Sequence, residues 1–86
     1  MTTKAPSSVK QAEENSLEKI AYAAVSDIPT VESHDRDRLG YNVWRWLSTK
    51  KDTLEEAVHT AGARLLISEV EATAKIRGSL RSRGML

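Results

Sequence analysis

The stretch that decides the fold is residues 54–76, LEEAVHTAGARLLISEVEATAKI. At the α-helical step of about 100° per residue, its apolar residues fall into two stripes on opposite sides of one helix. The first stripe consists of Leu54, Val58, Ala61, Leu65, Ala72 and Ile76, and the second of Ala63, Ile67, Val70 and Ala74. No Pro interrupts the stretch. The pattern therefore predicts one long helix, over residues 53–77, that is covered on both sides.

Two shorter helices are predicted upstream of this stretch. From Leu17 to Ile28 the apolar residues keep the spacing of one helix face, with a start signal at Ser8 or Asn15. Pro29 disfavours helical geometry at the residue before it, so the first helix is predicted over residues 8–26.

The second helix is predicted over residues 34–48. Ser33 is a suitable N-cap, and Asp35 falls in the first turn, where the positive end of the helix dipole favours a carboxylate. A polar turn follows, in which Asp52 or Thr53 caps the third helix.

Together these segments predict an all-α protein, a small three-helix domain with a long C-terminal helix that is oligomeric or bound to a partner. The predicted order is a flexible leader at residues 1–7, a helical domain at 8–77 and a basic tail at 78–86. The argument for a partner is the second stripe, because two short helices cover only one side of the long one.

Composition excludes several classes of protein. The 86 residues include no Cys, which excludes disulfides, thiolate zinc sites and iron–sulfur clusters. No apolar run has the length of a signal peptide or a membrane span. We therefore expect a cytoplasmic protein with no membrane partner.

No group of residues has the pattern of a catalytic or cofactor site. Ser33, His34 and Asp35 are neighbours in sequence, so their side chains diverge, whereas triads are assembled by the fold. Glu55 and His59 have the spacing of a surface pair, and a metal site needs a third ligand. We expect no enzyme, no metal, no cofactor and no small-molecule substrate.

Basic residues are concentrated at the C-terminus. Residues 72–86 carry four basic residues and no acidic one, namely Lys75, Arg77, Arg81 and Arg83. They form either a solvated tail that complements the helix dipole or an arm that binds nucleic acid. A helix-turn-helix formed by the second and third predicted helices is disfavoured, because the would-be recognition helix opens with Asp52, Glu55 and Glu56.

Aromatic residues are few, and three of them lie close together at Tyr41, Trp44 and Trp46. Trp46 falls on the predicted core face, whereas Trp44 does not, so Trp44 is covered either within the chain or by a partner. The predicted function is therefore a non-catalytic interaction module that acts through a partner protein or self-association. Its predicted contact residues are Trp44, Arg45, Ala63, Ile67, Val70 and Ala74. The alternative is a small nucleic-acid-binding regulator that uses Lys75, Arg77, Arg81 and Arg83.

Overall fold

The computed structural model describes residues 16–86, and in that part the regular elements are helices apart from one isolated β-bridge. Helix α1 covers residues 16–25, α2 Ser33–Thr49, α3 Leu54–Thr60 and α4 Glu69–Ser82. The predicted all-α class is confirmed. None of the helices in residues 16–86 is long and apolar enough to cross a membrane.

The first two helices follow the sequence pattern closely. Helix α1 ends at residue 25, ahead of Pro29, and α2 extends the predicted range by one residue at each end. Its N-cap is Glu32 instead of Ser33, and its C-cap residue Lys50 adopts a left-handed conformation with φ of 50°. The predicted leader at residues 1–7 and the predicted start of α1 at Ser8 or Asn15 lie outside the described residues.

The core lies between the four helices and is aliphatic. Helix α1 packs closely on α2 at Gly40, where a Cβ atom would lie 2.5 Å from Cδ1 of Tyr22. This contact leaves room only for glycine. The buried apolar residues are Ala21, Ala24, Val25, Ile28, Leu39, Val43, Leu47, Leu54, Ala57, Val58, Ala72, Ile76 and Leu80.

The prediction of one uninterrupted helix over residues 53–77 is wrong, because residues 61–68 form a connector between α3 and α4. Gly62 adopts φ of +66°, which no residue of a right-handed helix has. Thr53 caps α3 by accepting a hydrogen bond from the Glu56 N–H, and Ser68 caps α4 in the same way from the Glu71 N–H. The described part of the chain therefore has four helices where three were predicted.

Gly62 offers a test of this break. We expect Gly62→Ala to lower the free energy of unfolding by about 1–2 kcal/mol, because alanine is strained at a left-handed position. The matched control is Gly78→Ala within α4, where nothing lies within 4 Å of the added Cβ; it should raise stability by about 0.5–1 kcal/mol. Urea denaturation measures both. A stabilising Gly62→Ala would indicate a continuous helix.

The predicted tail is also corrected, because α4 continues to Ser82 instead of ending at residue 77. Leu80 is buried and so extends the buried face of α4 by another turn. Beyond α4, Gly84 has φ of +78°, and Met85 packs against the core while its N–H donates to the carbonyl of Leu80 over 2.9 Å. Residues 78–86 are therefore part of the fold.

A fully buried carboxylate at the start of α2 holds the connector at 61–68 in place. The β-bridge between Thr30 and Leu65 brings the connector at 61–68 beside the start of α2. There Asp35, 0% exposed, accepts hydrogen bonds from the N–H of Glu32 at 3.1 Å and from the N–H of Arg64 at 3.2 Å. The Arg64 guanidinium adds Nε to Oδ1 and Nη2 to Oδ2, both at 3.2 Å. This pair fixes the connector that precedes α4.

Candidate nucleic-acid interface

Helix α4 is held from one side, and this defines its outward face. Ala72, Thr73, Ile76 and Leu80 are buried along the inner side. At the edge facing α3, the Nδ1 atom of His59 lies 3.0 Å from the carboxylate of Glu69. The opposite side of the helix is left to solvent.

Arg77, one of the four predicted basic site residues, is engaged within the molecule. Its Nη2 donates to the carboxylate of Glu55 at 2.8 Å, which ties α4 to α3. This hydrogen bond holds the pKa of Glu55 below its usual value. The structure therefore separates Arg77 from the other three basic residues of the set, Lys75, Arg81 and Arg83, which are exposed.

The outward face of α4 has small side chains along its middle and a cation on each side. Gly78 marks the centre, and the space around its Cβ position is open. Lys75 precedes Gly78 by three residues and Arg81 follows it by three, so they lie about 60° to either side of it. Ala74 and Ser82, each four residues away, are also exposed. A smooth ridge with positive edges results.

The N-terminal end of this face differs in character. Val70 is 81% exposed, which is unusual for an apolar residue on a helix that has a buried side available. Val70 lies about 80° from Gly78 around the helix, on the same side as Arg81, whereas Glu71 lies about 20° from Gly78, on the middle of the face. Glu71 is exposed and places a carboxylate in the first turn, where the helix dipole stabilises negative charge. The face therefore runs from an apolar and acidic end to a basic end.

The second predicted stripe does not form one surface. Ala63 and Ile67 lie in the connector, where they are half-buried and pack against the core. Val70 and Ala74 lie on α4 and are exposed. Because the connector interrupts the helix, these residues are not brought together on one helix face as the sequence pattern predicted.

Trp44 and Arg45 make contacts within the molecule. Trp44 is half-buried against the core, and its ring meets that of Tyr41 edge-on with centroids 5.8 Å apart. Nη1 of Arg45 donates to the Tyr41 hydroxyl at 3.1 Å. Arg45 also lines a polar cavity of about 240 Å³ between α2 and α3, together with Asn42, Trp46, Thr49, Asp52, Ala57 and Thr60. Among the described residues, then, Trp44 is covered at least in part by its own chain.

The residues considered for chemistry are held in structural roles. Asp35 is bound by Arg64 and two backbone N–H groups, and Ser33 is exposed at the start of α2. Glu55 and His59 do not face each other, because Glu55 contacts Arg77 and His59 contacts Glu69. In residues 16–86 no group of three or more potential ligands is placed to hold a metal ion.

Sequence reasoning named Lys75 and Arg81 but missed the place of Gly78 between them. The spacing, three residues to each side, was visible in the sequence. With residues 78–86 predicted as a tail, this spacing does not indicate a shared surface. Only in a helix do residues three positions before and after Gly78 lie on the two edges of one face.

No protein-family model, curated protein or solved structure matches this chain.

Proposed function

We propose that the protein binds nucleic acid through the outward face of α4. The observation that carries this proposal is the exposed, open ridge at Gly78 with Lys75 and Arg81 at its edges. Cations on both sides of a narrow ridge suit a polyanion with two rows of phosphates, since each edge meets one row.

The same charges disfavour self-association across this face. Two copies of α4 packed antiparallel at Gly78 would place Lys75 of one copy beside Arg81 of the other. Like charges at such a contact are destabilising. A ridge of small residues alone is suited to helix packing, but these edges favour an anionic partner.

The objection from the sequence assumed that the helix opening with Glu55 and Glu56 would enter the groove. With the break at 61–68, those acids belong to α3, the first helix of the pair, and α4 is the second. Helix α4 also opens with two acidic residues, Glu69 and Glu71, so the proposed contact with phosphates begins at Lys75 and excludes the first turn. The connector is longer than the turn of about three to four residues in the standard motif.

The test is the salt dependence of binding to a labelled duplex of mixed sequence. We expect the double variant Lys75→Gln/Arg81→Gln to bind more weakly, because each lost phosphate contact removes counterion release. The slope of log K against log salt should fall by about 0.9 for each lost contact. Fluorescence anisotropy at several salt concentrations measures both quantities.

The matched control is Arg38→Gln, which removes an exposed cation from α2. It should leave the salt slope of the wild type unchanged. Equal slopes for the wild type and the double variant would contradict the proposal, as would absence of duplex binding by a folded wild-type protein at physiological salt.

A second candidate function, association with another protein, is favoured by one observation. Leu66 is 65% and Val31 49% exposed, and the β-bridge places them near each other. The N–H of Val31 donates to the Arg64 carbonyl and that of Leu66 to the Pro29 carbonyl, both at 2.9 Å. For a second copy of this chain as that protein, light scattering on the binding samples separates the candidates, because self-association raises the mass without nucleic acid.

A further inference from the structure

The polar cavity of about 240 Å³ is lined by residues of α2, α3 and the segment between the two helices. We propose that this cavity binds a small zwitterion of the α-amino-acid class, with the ligand carboxylate at Arg45 and the ligand ammonium group at Asp52. The site is independent of the proposed nucleic-acid contact, which lies on α4.

The uncharged polar side chains of the wall are already paired within the molecule. The amide nitrogen of Asn42 donates to the Ala57 carbonyl at 3.0 Å and to the Thr60 hydroxyl at 3.1 Å, which uses both of its hydrogens. The Thr60 hydroxyl donates to a carbonyl one turn back in α3 at 2.9 Å, and the Thr49 hydroxyl does the same in α2 at 3.1 Å. These bonds fix the wall and leave these side chains no hydrogen to donate to a ligand.

Trp46 holds the segment between the helices at the cavity. Its Nε1 donates to the main-chain carbonyl of Asp52 at 2.6 Å. This bond uses the indole hydrogen and fixes the main chain of Asp52 beside α2. The side chain of Asp52 takes no part in it.

The two charged side chains of the lining are the groups that remain for a ligand. The guanidinium of Arg45 carries several N–H groups, and its hydrogen bond within residues 16–86 is the one from Nη1 to the Tyr41 hydroxyl at 3.1 Å. The Asp52 carboxylate is exposed and belongs to none of the ion pairs in the same range. The lining therefore offers free donors at Arg45 and a free charged acceptor at Asp52.

One charge of each sign selects the class of ligand. A simple anion at Arg45 would be repelled by Asp52, and a simple cation at Asp52 would be repelled by Arg45, whereas a zwitterion pairs with both. A guanidinium is a well-matched donor for a carboxylate. Because a water molecule takes about 30 Å³ of the liquid, a cavity of about 240 Å³ has room for roughly eight waters or for one amino acid with a small side chain.

The experiment compares small molecules of nearly equal size. L-Alanine carries both charges, L-lactate has a hydroxyl in place of the ammonium group, and L-alaninamide has an amide in place of the carboxylate. Each is titrated into the isotope-labelled full chain, and the NMR signal of the Trp46 indole N–H reports binding. The indole signal of Trp44, which is not part of the lining, is the internal reference. The wild type should bind alanine about three- to fivefold more tightly than either analogue, as expected for an ion pair at the surface.

Two variants assign each preference to one side chain. Arg45→Gln should bind alanine and alaninamide equally, and Asp52→Asn should bind alanine and lactate equally, because each variant lacks the partner of the group in question. The matched controls are Arg38→Gln and Asp37→Asn, exposed on α2 outside the lining, and they should keep both preferences. The spectra themselves show whether the variants are folded.

Three results would overturn the proposal. Lactate bound as tightly as alanine would make the cavity a simple anion site, and alaninamide bound as tightly would make it a cation site. A Trp46 signal that stays in place up to about 50 mM alanine would show that the cavity holds only water. None of these results bears on duplex binding by α4, which the salt-dependence experiment tests separately.

Discussion

Replacing Asp35 with Asn should lower Tm by at least about 10 °C at neutral pH, since several hydrogen bonds to a charged group are lost or weakened in a domain of this size. The carboxylate accepts from two backbone N–H groups and from the fork of Arg64. Asn has one acceptor oxygen, and its NH₂ group would face the Arg64 donors. The connector before α4 would then lose the contact that fixes it.

The effect depends on pH in a defined direction. Burial raises the pKa of Asp35, but hydrogen bonds from the Arg64 side chain and from the backbone N–H groups of Arg64 and Glu32 outweigh it, so the pKa lies below its usual value. A lowered pKa in the folded state stabilises the protein above the unfolded pKa, near 3.9. The Tm difference between wild type and Asp35→Asn should therefore be constant above about pH 5 and shrink as the pH falls through the folded pKa.

Thermal melts of the two proteins between pH 2 and 7, on the order of one melt per pH unit, measure this difference. Asp37→Asn is the control, because Asp37 is exposed two residues further along α2 and should change stability by less than about 0.5 kcal/mol. A similar Tm for Asp35→Asn and Asp37→Asn at pH 7 would show that the buried pair does not hold the connector.

The Asp35 pair also marks a limit of sequence reasoning. Asp35 in a first helical turn suggests an N-terminal acid, and Arg64 within an apolar stretch gives no indication of its partner. The two residues lie 29 positions apart, and they meet where the β-bridge brings the connector at 61–68 beside the start of α2. A contact between the start of a helix and a distant connector has no periodicity, so no pattern in the sequence predicts it.

The break between α3 and α4, by contrast, has a signal in the sequence. Ser68 followed by Glu71 has the S-x-x-E spacing of a helix start, and Gly62 has the position of a glycine that ends a helix. The apolar periodicity nevertheless predicts a continuous helix, because the connector residues Leu65 and Ile67 pack on the core and so have the spacing of a helix face. Two opposed apolar stripes on one helix were themselves the sign of a break.

The break also changes the functional argument. The prediction of protein association depended on Ala63, Ile67, Val70 and Ala74 sharing one face, and the structure divides them between the connector and α4. The basic residues become the better-supported candidate site, because a helix that runs to Ser82 gives Lys75 and Arg81 fixed positions. Their identity was readable from the sequence, and their arrangement was not.

The two tryptophans of α2 should contribute similarly to the free energy of unfolding, although their indole N–H groups differ in hydrogen bonding. Both are half-buried against the core, so Trp44→Ala and Trp46→Ala should each lower the free energy of unfolding by about 3 kcal/mol. The sequence left open whether Trp44 is covered by a partner. A Trp44→Ala variant with wild-type stability would revive that interpretation.

Phenylalanine substitutions separate the contribution of ring packing from that of the indole N–H group. Nε1 of Trp46 donates to the carbonyl of Asp52 at 2.6 Å, whereas Nε1 of Trp44 is buried with no partner in the described part of the chain. Trp46→Phe therefore loses a hydrogen bond worth about 0.5–1.5 kcal/mol, while Trp44→Phe removes a donor whose burial is itself unfavourable. In urea denaturation, Trp44→Phe should be the milder change. If it is the more damaging of the two, Nε1 of Trp44 has an acceptor outside the described residues, and the surface around Trp44 contacts the segment or partner that supplies it.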